Sequence, residues 1–229
     1  MSQNKGNKMN AILFDYCHQF PLADLKEDFG DNSSLSFSFI HRNKHNWFYG
    51  IDGAYIFGDN IKDENIFDNI STVNGEIINK DGLFANVLTY ERGFSSFLYS
   101  GKAYPFYKDN ETGLYISIGV GYIEHRIRIQ TQEDIIPHLN EEYKKGYDRL
   151  TGGVSAKMNV NYMYFSKKNN IKIYFGIELI KGWTSHLRSY NFNTRSYNSD
   201  NIRNDLIIGI KTGFIIPIFK RNDSEFHYK

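Results

Sequence analysis

The chain has 229 residues, a formal net charge of +1 and a mean hydropathy of −0.51. No run approaches the roughly 20 consecutive apolar residues of a transmembrane helix, and the near-neutral charge gives no indication of a nucleic-acid partner. Cys17 is the single cysteine, so an internal disulfide is excluded. Aromatic residues make up 16% of the chain, which suits the aromatic girdles of a membrane barrel and also a carbohydrate-binding sandwich.

Apolar and polar residues alternate along most of the chain, and this period of two predicts β-strands. In chain order the predicted strands cover residues 10–20, 34–42, 47–57, about 92–106, 114–130, 154–165, 171–183 and 205–219. Pro21 is expected to end the first strand, because proline cannot join a central ladder. A short helix is predicted at 63–70 and a helical turn near 139–145.

The clearest alternation lies in residues 154–183, where two runs flank a short polar turn. In the second run Ile173, Phe175 and Ile177 share one face, and Lys172 and Glu178 lie on the other. A soluble sandwich would turn the apolar face to a core, whereas a membrane barrel turns it to lipid and the polar face to the lumen.

The connections between predicted strands alternate strictly in length. Short ones lie near 43–46, 108–112 and 166–170, and long ones near 21–32, 58–91, 131–148 and 185–203. Short periplasmic turns and long extracellular loops are typical of transmembrane barrels, whereas a Greek-key sandwich has no reason to sort its loops by length. The alternation therefore favours an all-β, eight-stranded antiparallel up-and-down barrel over a soluble β-sandwich or lipocalin-like barrel.

The expected domain layout is an N-terminal periplasmic extension (1–9), an outer-membrane barrel (10–219) and a C-terminal periplasmic tail (220–229). Residues 1–10 are polar and show no signal peptide. We interpret the sequence as a mature form and expect it in the bacterial outer membrane, in contact with its lipid.

The polar face of the strands carries charged residues that would point into the lumen. An eight-stranded barrel is just wide enough for side chains to fill, and buried charges persist only when they are paired. We therefore predict a structural ion-pair network, with a narrow ion path as the functional alternative, formed by Asp15, Asp52, Lys157, Lys172, Glu178 and Lys211.

Catalytic and metal sites find little support in the sequence. Three histidines, His125, His138 and His186, lie near the expected outer rim, but no Ser/His/Asp spacing is specific. We predict no enzyme activity, no metal and no cofactor, and keep a surface enzyme acting on lipid or peptide as an alternative.

Apolar residues in the long loops indicate ordered loops that pack on each other or on a partner. Loops are where outer-membrane proteins carry function. The predicted partner-binding residues are Ile66, Phe67, Ile70, Ile135, Ile136, Tyr143 and Tyr147.

Three segments carry a resemblance to a known group. These are IRIQTQEDIIPHLNEEYKKGYDRLTGG (127–153), SGKAYPF and DLIIGIKTGFIIPIF. They are similar to small eight-stranded outer-membrane proteins of Bacteroidota, of the PorG type and with a barrel like that of OmpA or OmpX. The resemblance implies an accessory subunit of an outer-membrane machine, either the type IX secretion apparatus or the barrel-assembly machinery. Those barrels usually end on an aromatic residue, and here Phe219 is followed by ten more residues.

Overall fold

Eight long strands dominate the structure, a computed structural model that describes residues 8–63, 65–107, 110–132, 134–166, 172–198 and 201–218. The strands are β1 (Met9–Ala23), β2 (Asn32–Arg42), β3 (Trp47–Gly58), β4 (Leu88–Tyr107), β5 (Asn110–Gln130), β6 (Thr151–Phe165), β7 (Lys172–His186) and β8 (Arg203–Ile218).

These strands close into one barrel in which each strand pairs antiparallel with its sequence neighbours. The barrel closes where β1 pairs with β8, from Asn10↔Ile218 to Ala23↔Asp205. The predicted eight-stranded up-and-down barrel is therefore confirmed.

Pro21 does not end the first strand, contrary to the prediction. The β1–β2 pairing stops at Gln19↔Asn32, and beyond it β1 pairs with β8 alone, with Pro21 opposite Ile207. Pro21 thus occupies an edge position with a strand on one side only, where proline is tolerated in a sheet.

The long connections contain only short elements. The first holds α1 (Leu25–Asp28), and the second holds a small hairpin of two-residue strands, Ile77–Ile78 with Phe84–Ala85. The third holds a 3₁₀ turn (Pro137–Leu139) followed by α2 (Glu141–Lys144). The fourth holds a second small hairpin, Tyr190–Asn191 with Ser196–Tyr197. Residues 65–70 form turns instead of the predicted helix. Among the described residues, no helix has the length and apolarity to cross a membrane.

An apolar belt surrounds the outside of the barrel. On β5 the outward residues from Leu114 to Tyr122 are apolar, and Glu124 then begins a charged stretch. A span of this length matches the roughly 9–11 residues that a barrel strand needs to cross a bilayer. Lys102 lies near the other edge of the belt, where its ammonium sits 5.8 Å from the Trp47 ring centre, as a snorkelling lysine does.

An exposed apolar belt around a polar lumen is the surface of an outer-membrane barrel in contact with lipid. It contradicts both soluble alternatives, which would expose the polar face to water. Short turns then lie on the periplasmic side and long loops on the extracellular side.

Two apolar clusters fill the lumen, one on the extracellular (upper) side and one on the periplasmic (lower) side of a polar layer. The lower cluster includes Phe48, Tyr115 and Met163, and the upper one includes Phe97 and Ile123. Further down, the fully buried Arg42 pairs with Glu111 and donates to the Tyr115 hydroxyl at 2.9 Å.

The predicted terminal segments lie largely outside the described residues. Residues 1–7 and 219–229 are not described, and these include Phe219 and the expected periplasmic tail. The turns expected near 108–112 and 166–170 are only partly described, because 108–109 and 167–171 are not.

The belt predicts how arginine substitutions along one strand affect stability. Ile118→Arg, in the middle of the β5 belt, should lower the free energy of unfolding by about 2–4 kcal/mol, because the charge enters hydrocarbon. Gln130→Arg, on the same outward face beyond the belt, should cost at most about 1 kcal/mol. Urea unfolding in lipid vesicles measures both, and equal costs would contradict the membrane placement.

Candidate functional site

The polar layer of the lumen is organised around Lys157. Its Nζ lies 3.0 Å from Asp52 Oδ1 and 3.4 Å from Glu178 Oε2. Lys211 approaches the same Glu178 oxygen at 3.5 Å. The ammonium of Lys157 also lies 4.2 Å from the centre of the Phe97 ring. Two cations therefore serve two carboxylates, brought together from four strands and buried.

Two of the predicted lumen residues lie apart from this cluster. Asp15 accepts hydrogen bonds of 2.5 Å from Ser36 Oγ and from the Tyr174 hydroxyl, so neutral donors satisfy it. Lys172 is the first residue of β7, six residues before Glu178. That separation is about 20 Å along a strand, too far for Lys172 to join the ion pairs.

The surroundings of the cluster favour a structural plug over an ion path. Apolar clusters lie on both sides of it, and each described charge in it has an opposite charge within reach. A permeating ion needs hydrated surfaces and weak binding sites, whereas these charges are tightly compensated.

The extracellular loops fold over the barrel mouth and form a cap. Its apolar core continues the upper lumen cluster. Of the predicted partner-binding residues, Ile66, Ile136 and Tyr147 are buried in this core, and Phe67 and Ile70 pack against it. Burial also raises the pKa of Tyr147. These five residues hold the cap together, so the prediction that they bind a partner needs correction.

An ionic staple built on Asp28 ties the cap to the barrel. Its carboxylate accepts from Arg149 at 2.7 Å and from Arg203 at 2.6 Å, and Arg149 also pairs with Asp63. This staple could not be predicted from the sequence, because it joins segments separated by more than a hundred residues. No local signal singles out Asp28, because the same turn also carries Asp24, Glu27 and Asp31.

Apolar residues on the outside of the cap form a patch around the small hairpin of the second loop. Ile78 and Phe84 are cross-strand partners, and the Lys80 amide donates to the Ile135 carbonyl at 2.9 Å. The hairpin patch consists of Ile78, Leu83, Phe84 and Ile135, with exposures of 44, 65, 68 and 57%. The predicted Ile135 belongs to it, whereas Tyr143, though exposed, packs on Phe192.

The rim histidines His125 and His186 do not form a catalytic arrangement with the nearby Ser185, Asp134 or Asp148. Ser185 and His186 are adjacent in β7 and so point to opposite faces. Asp148 is bound by Arg188 and Asp134 by Asn79. His125 is buried, with its Nε2 3.5 Å from Asp205 Oδ2.

The described residues contain no group of three or more His, Cys, Asp or Glu side chains that could hold a metal ion. Thr184 donates to Asp205, beside His125, at 2.5 Å. Its hydroxyl proton is thus directed to the carboxylate and not to the histidine, which is not the nucleophile–base geometry.

The lumen cluster predicts a graded loss of stability. Lys157→Met should lower the free energy of unfolding by about 3–5 kcal/mol, because it leaves Asp52 buried without its cation and leaves Glu178 with Lys211 alone. Lys211→Met should cost less, since Glu178 keeps Lys157. Adding Asp52→Asn to Lys157→Met should recover part of the loss. Urea unfolding followed by tryptophan fluorescence measures all three, and a neutral Lys157→Met would rule the cluster out as a stabilising element.

Comparison with known proteins gives structural similarity only, since no family model and no curated protein matches the sequence. Neisserial surface protein A is 10% identical over 90% of this chain and 96% of its own, with a TM-score of 0.46. Ail of Yersinia pestis, solved with the heparin analogue sucrose octasulfate, is 9% identical over 92% and 100%, with a TM-score of 0.44. The outer membrane protein OprG from Pseudomonas aeruginosa is 8% identical over 94% and 99%, with a TM-score of 0.41. The assignment of this chain to a membrane barrel therefore rests on its own strand register and apolar belt.

Proposed function

We propose that this protein is a non-enzymatic accessory subunit of an outer-membrane complex, and that the hairpin patch is its contact with another subunit. The observation that carries the proposal is the exposure of four apolar side chains on an ordered hairpin. Contiguous apolar surface in water is typical of a protein–protein contact. The patch belongs to the loops of the cap and not to the strand segments that carry the lipid belt.

The lumen supports a scaffold role in preference to transport. Ion pairs and two apolar clusters fill it, and the cap covers its outer mouth. A barrel of this kind offers its outer surfaces and loops to other molecules. It gives a solute no wide path.

The candidate machines come from the resemblance to small barrels of Bacteroidota. Under this proposal the partner is a large barrel or secretion subunit of the type IX apparatus, or a component of the barrel-assembly machinery. Because the patch lies on the extracellular cap, its partner would be an outer-membrane protein with an apolar surface outside the membrane. A periplasmic protein of the same machine could contact only the short turns.

The patch predicts which substitution abolishes partner binding. Leu83→Gln with Phe84→Gln should remove most of the co-purifying partner, because the apolar contact is lost while the cap core stays intact. The measurement is a tagged pull-down from native outer membranes in mild detergent, with mass spectrometry of the stoichiometric proteins.

The matched control is Tyr197→Gln, an exposed aromatic on the other small hairpin. It should leave recovery unchanged. If the unaltered protein is recovered alone, or if the double variant keeps its partner, the proposed contact is wrong. Recovery of a type IX or barrel-assembly subunit decides between the two machines.

A further inference from the structure

A cationic rung crosses β4 and β5 just beyond the outer edge of the apolar belt. Arg92 and Arg126 are direct cross-strand partners, and Tyr90 and Arg128 form the next outward pair. The outer edge of the belt is marked by Phe94, whose ring centre lies 5.9 Å from that of Tyr122. Arg92 and Arg126 lie two residues beyond the Phe94–Glu124 pair, about 7 Å along the strands. This height corresponds to the headgroup layer of the outer leaflet.

The rung lines one wall of a groove of about 940 Å³ between the outer barrel wall and the third loop. Its ionisable lining comprises six cations and three carboxylates: Arg92, Arg126, Arg128, Lys144, Lys145 and Arg188, with Glu124, Glu141 and Asp148. Two aromatic side chains from the belt, Tyr55 and Phe94, also line the groove. The groove thus opens beside the membrane surface and carries excess positive charge.

The three carboxylates of the groove already accept hydrogen bonds from side chains of the protein, two of them from cations. Asp148 accepts from Arg188 at 2.6 Å, and this hydrogen bond raises the pKa of Arg188. Glu141 accepts from Lys144 at 2.9 Å, which lowers the pKa of Glu141. Glu124 accepts a 3.4 Å hydrogen bond from the Tyr122 hydroxyl.

Among the described residues, Arg92, Arg126 and Arg128 make no ion pair of this kind with a carboxylate. Arg92 donates to the carbonyls of Gly58 and Glu91 and lies over the Tyr90 ring. Arg126 and Arg128 are exposed, and neither makes an ion pair within the described part of the chain. Their guanidinium groups are therefore open to an external anion.

The arrangement of Arg92 opposite Arg126 is unfavourable for the protein alone. Like charges directly opposite each other destabilise an antiparallel pair. An anion between them removes the repulsion, and guanidinium groups bind phosphate through paired hydrogen bonds. In the headgroup layer, anions of this kind are carried by the lipid itself.

We propose that Arg92, Arg126 and Arg128 bind the phosphate groups of an outer-leaflet glycolipid, with its acyl chains against the belt below Phe94 and Tyr122. The site lies on the lipid-facing wall and is separate from the hairpin patch. It would fix the height and rotation of the barrel relative to its surrounding lipid.

The test measures binding of diphosphoryl lipid A to the folded full chain in detergent by native mass spectrometry. The unaltered protein should bind diphosphoryl lipid A in preference to its dephosphorylated form. Arg126→Gln with Arg128→Gln should weaken that binding by about tenfold or more, since two charged hydrogen-bonding groups are lost. Heat-modifiable gel migration checks that each variant is folded.

Lys62→Gln with Lys80→Gln is the matched control, because it removes the same charge from exposed cap positions outside the groove. It should bind diphosphoryl lipid A like the unaltered protein. Equal binding of both lipid forms, or full binding by the arginine variant, would overturn the proposal. Two other outcomes would also overturn the lipid proposal. Displacement of the lipid by an equal concentration of inorganic phosphate would show a site for free anions. Binding of a sulfated oligosaccharide without binding of lipid would show a polysaccharide site.

Discussion

The ammonium group of Lys157, held between Asp52 and Glu178, is the interaction on which the interior of this barrel depends. A closed barrel of eight strands leaves no room for bulk water around its side chains. Its polar inner face must therefore satisfy itself, and an unpaired charge there would be more costly than an apolar side chain. By joining strands on different sides of the barrel, Lys157 also sets their relative positions.

Small residues make this packing possible. A Cβ at Gly50 would overlap the Tyr99 ring, and one at Gly213 would press on Asp15 and the Tyr174 ring. The lumen is thus filled by alternating large side chains with glycines on facing strands. The same principle joins the barrel to its cap, because the upper lumen cluster runs into the loop core without a polar break.

Much of the barrel could be predicted from the sequence because membrane strands carry a strong local signal. Where the alternation is clear it shows which residues of a strand share a face, so Asp15, Asp52, Lys157, Glu178 and Lys211 were all placed on the inward face. Alternation does not give height along the barrel axis, however. Lys172 has the inward parity of Glu178 but lies at the far end of its strand.

The loops were less predictable because their contacts are long-range. An apolar residue in a loop has the same local signature whether it packs inside a cap, as Ile66 does, or projects from it, as Phe84 does. The arginine rung was visible in the sequence as Glu124, Arg126 and Arg128 continuing the outward parity of the β5 belt. Its pairing with Arg92, however, depends on a strand register that only the fold supplies.

The seam between β1 and β8 has a consequence for how the chain assembles. At its outer end, the Asn204 amide donates to Asp24 at 2.7 Å, and Arg203 donates to the Asp24 carbonyl at 3.0 Å. These contacts join residues separated by about 180 positions, and contacts of such high sequence separation are slow to form. Until β8 is in place, the other seven strands would form an open sheet with two unpaired edges, a template for pairing with other chains. Because β8 pairs with both β7 and β1, this one sixteen-residue strand covers both edges at once and closes the barrel.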